Sequence, residues 1–207
     1  MKRKVIIIGA GGFGKEVAWI LRRSGDAGSE LEVQGFCDDD AAKAEGVKDL
    51  APFLGTVEEV VSRFPGCAYH CAIGNNRIRR DLMQRLDAAG LKAVSVVDFS
   101  SVVADDAVVS PGCYIGVHSV VSAGTRVGRG VIINHNVSVG HDAAIKDYAQ
   151  VCPGVSISGG CDLGEGALLG SNSCTLPVKR MGAWSVLGAG GVLLTDLEDG
   201  GSRVRLR

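Results

Sequence analysis

Hydrophobic residues follow two rhythms along this chain, and the change comes near residue 98. In the first part, short apolar runs alternate with amphipathic stretches. Residues 4–9, "KVIIIG", are apolar and β-branched and end in glycine, which predicts a buried parallel strand. "KEVAWILRRSG" follows, with Val17, Ala18, Ile20 and Leu21 at helical spacing and a stop at Gly25. "EVQGFCDDD", "AYHCAIGNN" and "KAVSVVD" predict three more strands, and "TVEEVVSRF" and "RIRRDLMQRLDAAG" two more helices. Strand–helix alternation with short links implies a parallel sheet with right-handed crossovers. Residues 1–97 are therefore expected to form a small Rossmann-like domain.

From residue 98 the period becomes six. Stepping by six from Val103 gives Val109, Ile115, Val121, Val127, Ile133, Val139, Ile145, Val151, Ile157, Leu163, Leu169, Thr175, Met181, Leu187 and Leu193, where only Thr175 is not aliphatic. Two residues before each lies a mostly small residue, such as Ser119, Thr125, Ala143, Ala149 or Cys161. Glycine often follows the aliphatic position, as at Gly116, Gly128, Gly140, Gly164, Gly170 and Gly188. Six is neither a helix period nor a plain alternation; it is the repeat of a parallel β-helix. Three hexads make one triangular coil, with the aliphatic residue pointing inward and glycine or polar residues at corners, where positive φ costs glycine little. Residues 98–195 are expected to be such a prism of about five coils, left-handed as in hexapeptide-repeat proteins, with 196–207 as a tail.

Composition changes this picture only at the edges. Thirty glycines and few aromatics suit a turn-dense fold filled by small branched side chains. The net charge of −1 lacks the clustered basic surface that nucleic-acid binding needs; Arg203, Arg205 and Arg207 at the terminus are read as solvated. No stretch has the roughly 18 apolar residues of a membrane span, and the short apolar opening is broken by glycines, unlike a secretory signal. The cysteines, seven and scattered, read as reduced thiols, so the protein is expected in the cytoplasm.

Three segments carry candidate chemistry. "GAGGFG" sets Gly9, Gly11 and Gly14 in GxGxxG spacing between a strand and a helix, where backbone N–H groups and a helix N-terminus favour phosphate. Asp38, Asp39 and Asp40 follow the second strand, where a dinucleotide fold places its ribose contact. NAD is the obvious ligand, but the half-sized domain favours a single nucleotide. "AIGNNRIRR" puts Gly74, Asn75 and Asn76 at the carboxyl end of the third strand, with Arg77 or Arg79 available to phosphate; an Asn there is also a simple helix cap. "INHNVSVGHD" holds Asn134, His135, His141 and Asp142. His141 falls at a prism corner, where neutral imidazole is a base near pH 7 and a neighbouring carboxylate can orient it; such a pair is also ordinary on surfaces. His118, His135 and His141 offer a zinc alternative, as in a hydratase on the same scaffold, although closing a tetrahedral site would need a second chain. A non-catalytic nucleotide-sugar-binding protein is the third reading, since repeat folds often only bind.

Taken in order, "IIIGAGGFGKEV", "GFCDDD", "AIGNNRIRR", "GVIINHNVSVGHD", "GVSISGG" and "LLGSNSCTLP" resemble the sugar O- and N-acyltransferases of the sialic-acid O-acetyltransferase and bacillosamine acetyltransferase type, over almost the whole chain. The resemblance implies a homotrimer with sites between adjacent prisms, acetyl-CoA as donor, no metal, and a nucleotide-linked amino sugar as acceptor, with sugar O-acetylation as a close variant. It implies that Gly11, Gly12, Asp38, Asp39 and Asn75, with Gly74 beside them, hold the nucleotide. His141 matches the general base, Asp142 its orienting acid, Asn134 an active-site polar position and Gly159 an N–H donor to the acetyl carbonyl. Ser171 and Ala189 align with contacts to the CoA arm. Where one branch of the family has a second histidine nine residues after the base, this chain has Gln150, which donates a hydrogen bond but does not titrate. The family's C-terminal G-x-P-A loop is missing, so contacts to the adenine end of CoA are expected to be weaker or supplied differently.

Overall fold

The computed structural model describes residues 2–26 and 30–204, in two compact units, Met1–Val96 and Val97–Arg207. In the first unit, β1 (Arg3–Ile8), β2 (Leu31–Cys37), β3 (Ala68–Cys71) and β4 (Lys92–Ala93) form one parallel sheet in the order β2-β1-β3-β4. β1 is central, so both its faces are covered, and Val5, Ile6, Ile7 and Ile8 are all buried. Between the strands run α1 (Gly12–Asp26), α2 (Val57–Arg63) and α3 (Asn76–Ala88). α1 buries Val17, Ala18, Ile20 and Leu21, the stripe its sequence marks. α2 begins with a capping box, the Thr56 hydroxyl accepting from Glu59 N–H while the Glu59 carboxylate accepts from Thr56 N–H. The expected fourth strand is shorter than its apolar run: Lys92–Ala93 pairs with β3, whereas Val96–Val97 belongs to the strand system of the second unit.

The second unit is a left-handed parallel β-helix of about six turns. Its two-residue strands stack into three faces of five, six and seven strands. Successive coils pair eighteen residues apart, as Ile132 with Gln150 and Val139 with Ile157. From Val121 to Leu193 every sixth residue is buried on the prism axis, Thr175 included. The small polar residues beside them are satisfied at the corners: Ser119 Oγ donates to Asn134 O (2.6 Å) and Thr125 Oγ1 to Gly140 O (3.1 Å). Residues 196–203 add a further rung rather than leaving the prism, Ser202 and Arg203 pairing with Val186 and Leu187. That spacing is sixteen residues, not eighteen, so the six-residue rhythm does not reveal it. Arg205 and Arg207 lie outside the described residues.

The glycines after the aliphatic positions serve a purpose other than the one expected. They are not the positive-φ corner residues; those come two positions later, as at Asp142 (φ 57°) and Gly160 (φ 68°). A Cβ on Gly140 would stand 2.6 Å from Gly159 N, and one on Gly170 2.5 Å from Ala189 N. Glycine there lets the next coil stack closely.

Candidate active site

The glycine loop of the first unit divides by what each residue faces. Gly9 is held by packing: its φ is 112° and a Cβ would meet Ala72 O at 2.8 Å. A Cβ on Gly14 would meet Gly9 O at 2.0 Å. Gly11, Gly12 and Gly74, by contrast, have nothing within 4 Å of where a Cβ would lie. Internal packing therefore demands no glycine at these three positions. They sit on the loops that leave the carboxyl ends of β1 and β3, which are neighbours in the sheet, the edge at which open parallel sheets bind ligands.

The acids beside this loop cross-link the protein itself. Asp38 Oδ2 accepts from Ala10 N–H (2.9 Å) and Oδ1 from Asp40 N–H (3.0 Å), while Lys43 Nζ lies 3.0 Å from both oxygens. Burial pushes the Asp38 carboxyl up, but these three partners outweigh it and hold the group below its ordinary value. Asp39 Oδ1 accepts from Val57 N–H (2.9 Å), the first residue of α2. Asn75 caps α3, its Oδ1 accepting from the N–H groups of Arg77 and Ile78 (both 3.1 Å), which leaves its amide nitrogen to face outward chemistry. Arg79, expected as a phosphate contact, is fully buried; its guanidinium donates to Ile73 O (2.9 Å), Gly74 O (3.1 Å) and Asn76 Oδ1 (3.2 Å) and so holds the 73–76 loop in shape.

In the second unit, His141 and Asp142 stand at a corner and project into solvent, their side chains 74% and 73% exposed. His141 Nδ1 lies 2.8 Å from Asp142 Oδ2. With the proton on Nδ1, the lone pair is on Nε2, which has no partner among the described residues. Asp142 is at positive φ, a conformation aspartate tolerates. One coil earlier, Gly124 leaves room for its carboxylate, since a Cβ there would reach Asp142 Oδ1 at 2.5 Å. One coil later lies Gly159, against the imidazole: a Cβ would stand 2.5 Å from His141 Nε2. The Gly159 N–H has no acceptor among the described residues. The imidazole of His141 thus lies against a residue whose backbone N–H has no acceptor among the described residues.

The other predicted positions fall elsewhere on the prism. Asn134 lies at the preceding corner, its Oδ1 accepting from His135 N–H (3.0 Å). Ser171 and Ala189 occupy the same corner as Asn134 two and three coils on, as the eighteen-residue pairing of successive coils requires. Gln150 is on the seven-stranded face beside that corner, with Nε2 3.9 Å from Cys152 Sγ and a buried Oε1 that no group among the described residues hydrogen-bonds. A single prism therefore joins His141, Asp142 and Gly159, and separately Asn134, Gln150, Ser171 and Ala189. His118 and His135 are one residue out of column, so they do not stack, and His141 is at another corner. Among the described residues no three His, Cys, Asp or Glu side chains converge on a metal position. No helix of the described residues is long and apolar enough to cross a membrane.

The chain is similar to several known proteins. Residues 4–86 match the family described as the PglD N-terminal domain. The UDP-N-acetylbacillosamine N-acetyltransferase of Bacillus subtilis is 30% identical over 116 residues, 55% of this chain and 51% of that protein, so the match spans about half of that relative's length. The solved acetyltransferase domain of PglB from Neisseria gonorrhoeae, in complex with acetyl coenzyme A, is 30% identical with a TM-score of 0.85, over 98% of this chain and 96% of that one. The chain belongs to the sugar acyltransferases of the bacillosamine acetyltransferase type. Another solved structure of this type is a histidine-to-asparagine mutant of perosamine N-acetyltransferase from Caulobacter crescentus with CoA and GDP-perosamine. It is 29% identical, with a TM-score of 0.89, over 98% of this chain and 93% of that one.

Sequence reasoning missed two elements of this candidate site. Gly124 carries a signal in its position eighteen residues before Asp142. The Asp38 cross-link carries none, because Ala10 is far from it in sequence.

Proposed function

We propose that this protein transfers the acetyl group of acetyl-CoA to the amine of a nucleotide-linked amino sugar. The observation that carries the reading is the unpartnered Nε2 of His141 packed against Gly159, whose N–H has no acceptor among the described residues, with Nδ1 fixed by Asp142. The attacking amine must lose a proton as its nitrogen bonds to the acetyl carbon. His141 Nε2 takes that proton, and Asp142 stabilises the imidazolium that results. The Gly159 N–H donates to the carbonyl oxygen as it gains negative charge. The thiolate leaves as the carbonyl reforms, and the proton held on His141 can return to it.

The nucleotide is held on the first unit by Gly11, Gly12 and Gly74, whose surfaces are open for backbone approach, with Asn75 beside them and with Asp38 and Asp39 fixing the loops. Asn134, Gln150, Ser171 and Ala189 serve the CoA arm and acceptor from a second prism. The acting protein is accordingly a homotrimer in which His141 of one copy faces the Asn134 corner of the next. A cytoplasmic reaction is supported by the two substrates the reading requires, acetyl-CoA and a nucleotide sugar.

The test is incubation with acetyl-CoA and a panel of UDP- and GDP-linked amino sugars and their hydroxyl counterparts, with products weighed by mass spectrometry. Acetylation of an amino sugar is expected. Acetylation of hydroxyl sugars alone would move the assignment to O-transfer, and no transfer to any of them would remove it. Calorimetry in parallel should detect a nucleotide sugar and not NAD; tight NAD binding alone would overturn the assignment of the first unit.

A further inference from the structure

Thr175 is the one polar residue in the run of inward aliphatic positions, and it is buried. Elsewhere in the prism, the residue after each inward position donates its N–H to the backbone carbonyl one coil on. Gly140 N–H donates to Ile157 O (2.8 Å), Ser122 N–H to Val139 O (3.0 Å) and Gly170 N–H to Leu187 O (2.8 Å). At Ser158 this rule breaks. Ser158 N–H donates to the Thr175 hydroxyl (2.9 Å), while the Ser158 hydroxyl donates to the Thr175 carbonyl (2.6 Å). Cys161 Sγ lies 3.2 Å from the same Thr175 hydroxyl, so this oxygen is not an orphan in the core. Ser156 still pairs with Cys174 here, but the paired register stops before Ile157 and Thr175.

The displaced bond lies immediately before Gly159. The peptide that carries the Gly159 N–H is therefore anchored at Ser158 by two side-chain bonds instead of one ladder bond. A valine would fill the same space and match the other inward positions, so packing gives no reason for a hydroxyl. We propose that Thr175, through Ser158, is a positioning residue that aims the Gly159 N–H beside His141. The proposal rests on the acetyl-transfer reading of that corner.

The variants are Thr175→Val, Thr175→Ser and Ser158→Ala, with steady-state kinetics and the amide resonance of Gly159 followed in each. Thr175→Val should lower kcat about tenfold, a fraction of the roughly 10²–10³-fold that outright loss of an oxyanion donor costs. KM for both substrates and the melting temperature should barely move. Thr175→Ser keeps the hydroxyl and should restore kcat and the Gly159 resonance. Ser158→Ala should reproduce the loss, and combining it with Thr175→Val should add little. An unchanged kcat and Gly159 resonance in both Thr175→Val and Ser158→Ala would show that Thr175 only fills space. If the wild-type protein acetylates no sugar, the functional reading fails, and the resonance still reports whether Thr175 sets this corner.

Discussion

The Cα of Gly159 faces the imidazole of His141, and a methyl group on Gly159 would stand 2.5 Å from Nε2. Gly159 is not at positive φ, so alanine is acceptable to the backbone and objectionable only to the ring. Gly159→Ala should fold with a near-normal melting temperature and lose roughly 10²-fold or more in kcat, the scale of lost general-base catalysis. Kinetics beside thermal melting by circular dichroism tests this. Wild-type turnover in the variant would mean the ring does not work from this position.

His141→Asn keeps the size and one hydrogen bond but removes the proposed base. We expect kcat to fall by roughly 10²-fold or more with small changes in KM. His135→Asn, at the preceding corner, should be milder. Steady-state kinetics of the three proteins decide it, and a more damaging His135 change would reassign the base.

Asp142 combines the proposed orienting role with an unusual backbone, so the substitution has to be chosen for both. Asparagine also accepts positive φ and keeps an oxygen for Nδ1, so Asp142→Asn should fold normally. Its kcat should fall less than that of His141→Asn, because the base remains and only its orientation and charge stabilisation weaken. A loss equal to that of His141→Asn would show that the carboxylate charge itself is indispensable.

Asp38 should make the stability of the first unit depend on acid. Its folded carboxyl ionises below the ordinary value, so the unfolded chain binds the proton more tightly. The stabilisation is fully present above the unfolded value of about 3.9 and is lost as pH falls through the depressed folded value. Asp38→Asn should therefore melt lower than wild type near pH 7, with the two curves converging in strong acid. Melting temperatures measured against pH test this; parallel curves would mean the Ala10 and Lys43 contacts contribute nothing net.

Complementation tests the placement of the two corners on different chains. His141→Asn and Ser171→Trp should each be inactive alone. Mixed trimers should regain part of the activity, because one interface then pairs an intact His141 with an intact Ser171 corner. Light scattering should report three chains of 21.4 kDa. A stable monomer, or no recovery in mixed trimers, would overturn the shared site.

Much of this anatomy is written locally. The six-residue rhythm from Val103 to Leu193 specifies the prism because each inward position meets the same narrow axis. The helices of the first unit are legible for the same kind of reason, since Val17, Ile20 and Leu21 share one face and Thr56 and Glu59 cap one turn. The corner placement of His141 also follows, by counting on from Val139. The last rung at Ser202–Arg203 escaped because its coil is two residues short.

By itself, then, the sequence determined the two architectures and the residue types at the His141 corner, because these depend on periods and neighbours along the chain. Only the tertiary structure decided which groups are already used. It committed Asp38 to Ala10 and Lys43, buried Arg79 beneath its loop, set Gly159 against the His141 ring and drew the Ser158 N–H to the Thr175 hydroxyl. The Ala10–Asp38, His141–Gly159 and Ser158–Thr175 contacts join residues that are distant in sequence, and the burial of Arg79 depends on what packs around it. A hydrogen-bond donor or a Cβ acts through space, so its partner is known only once the coils and strands are stacked.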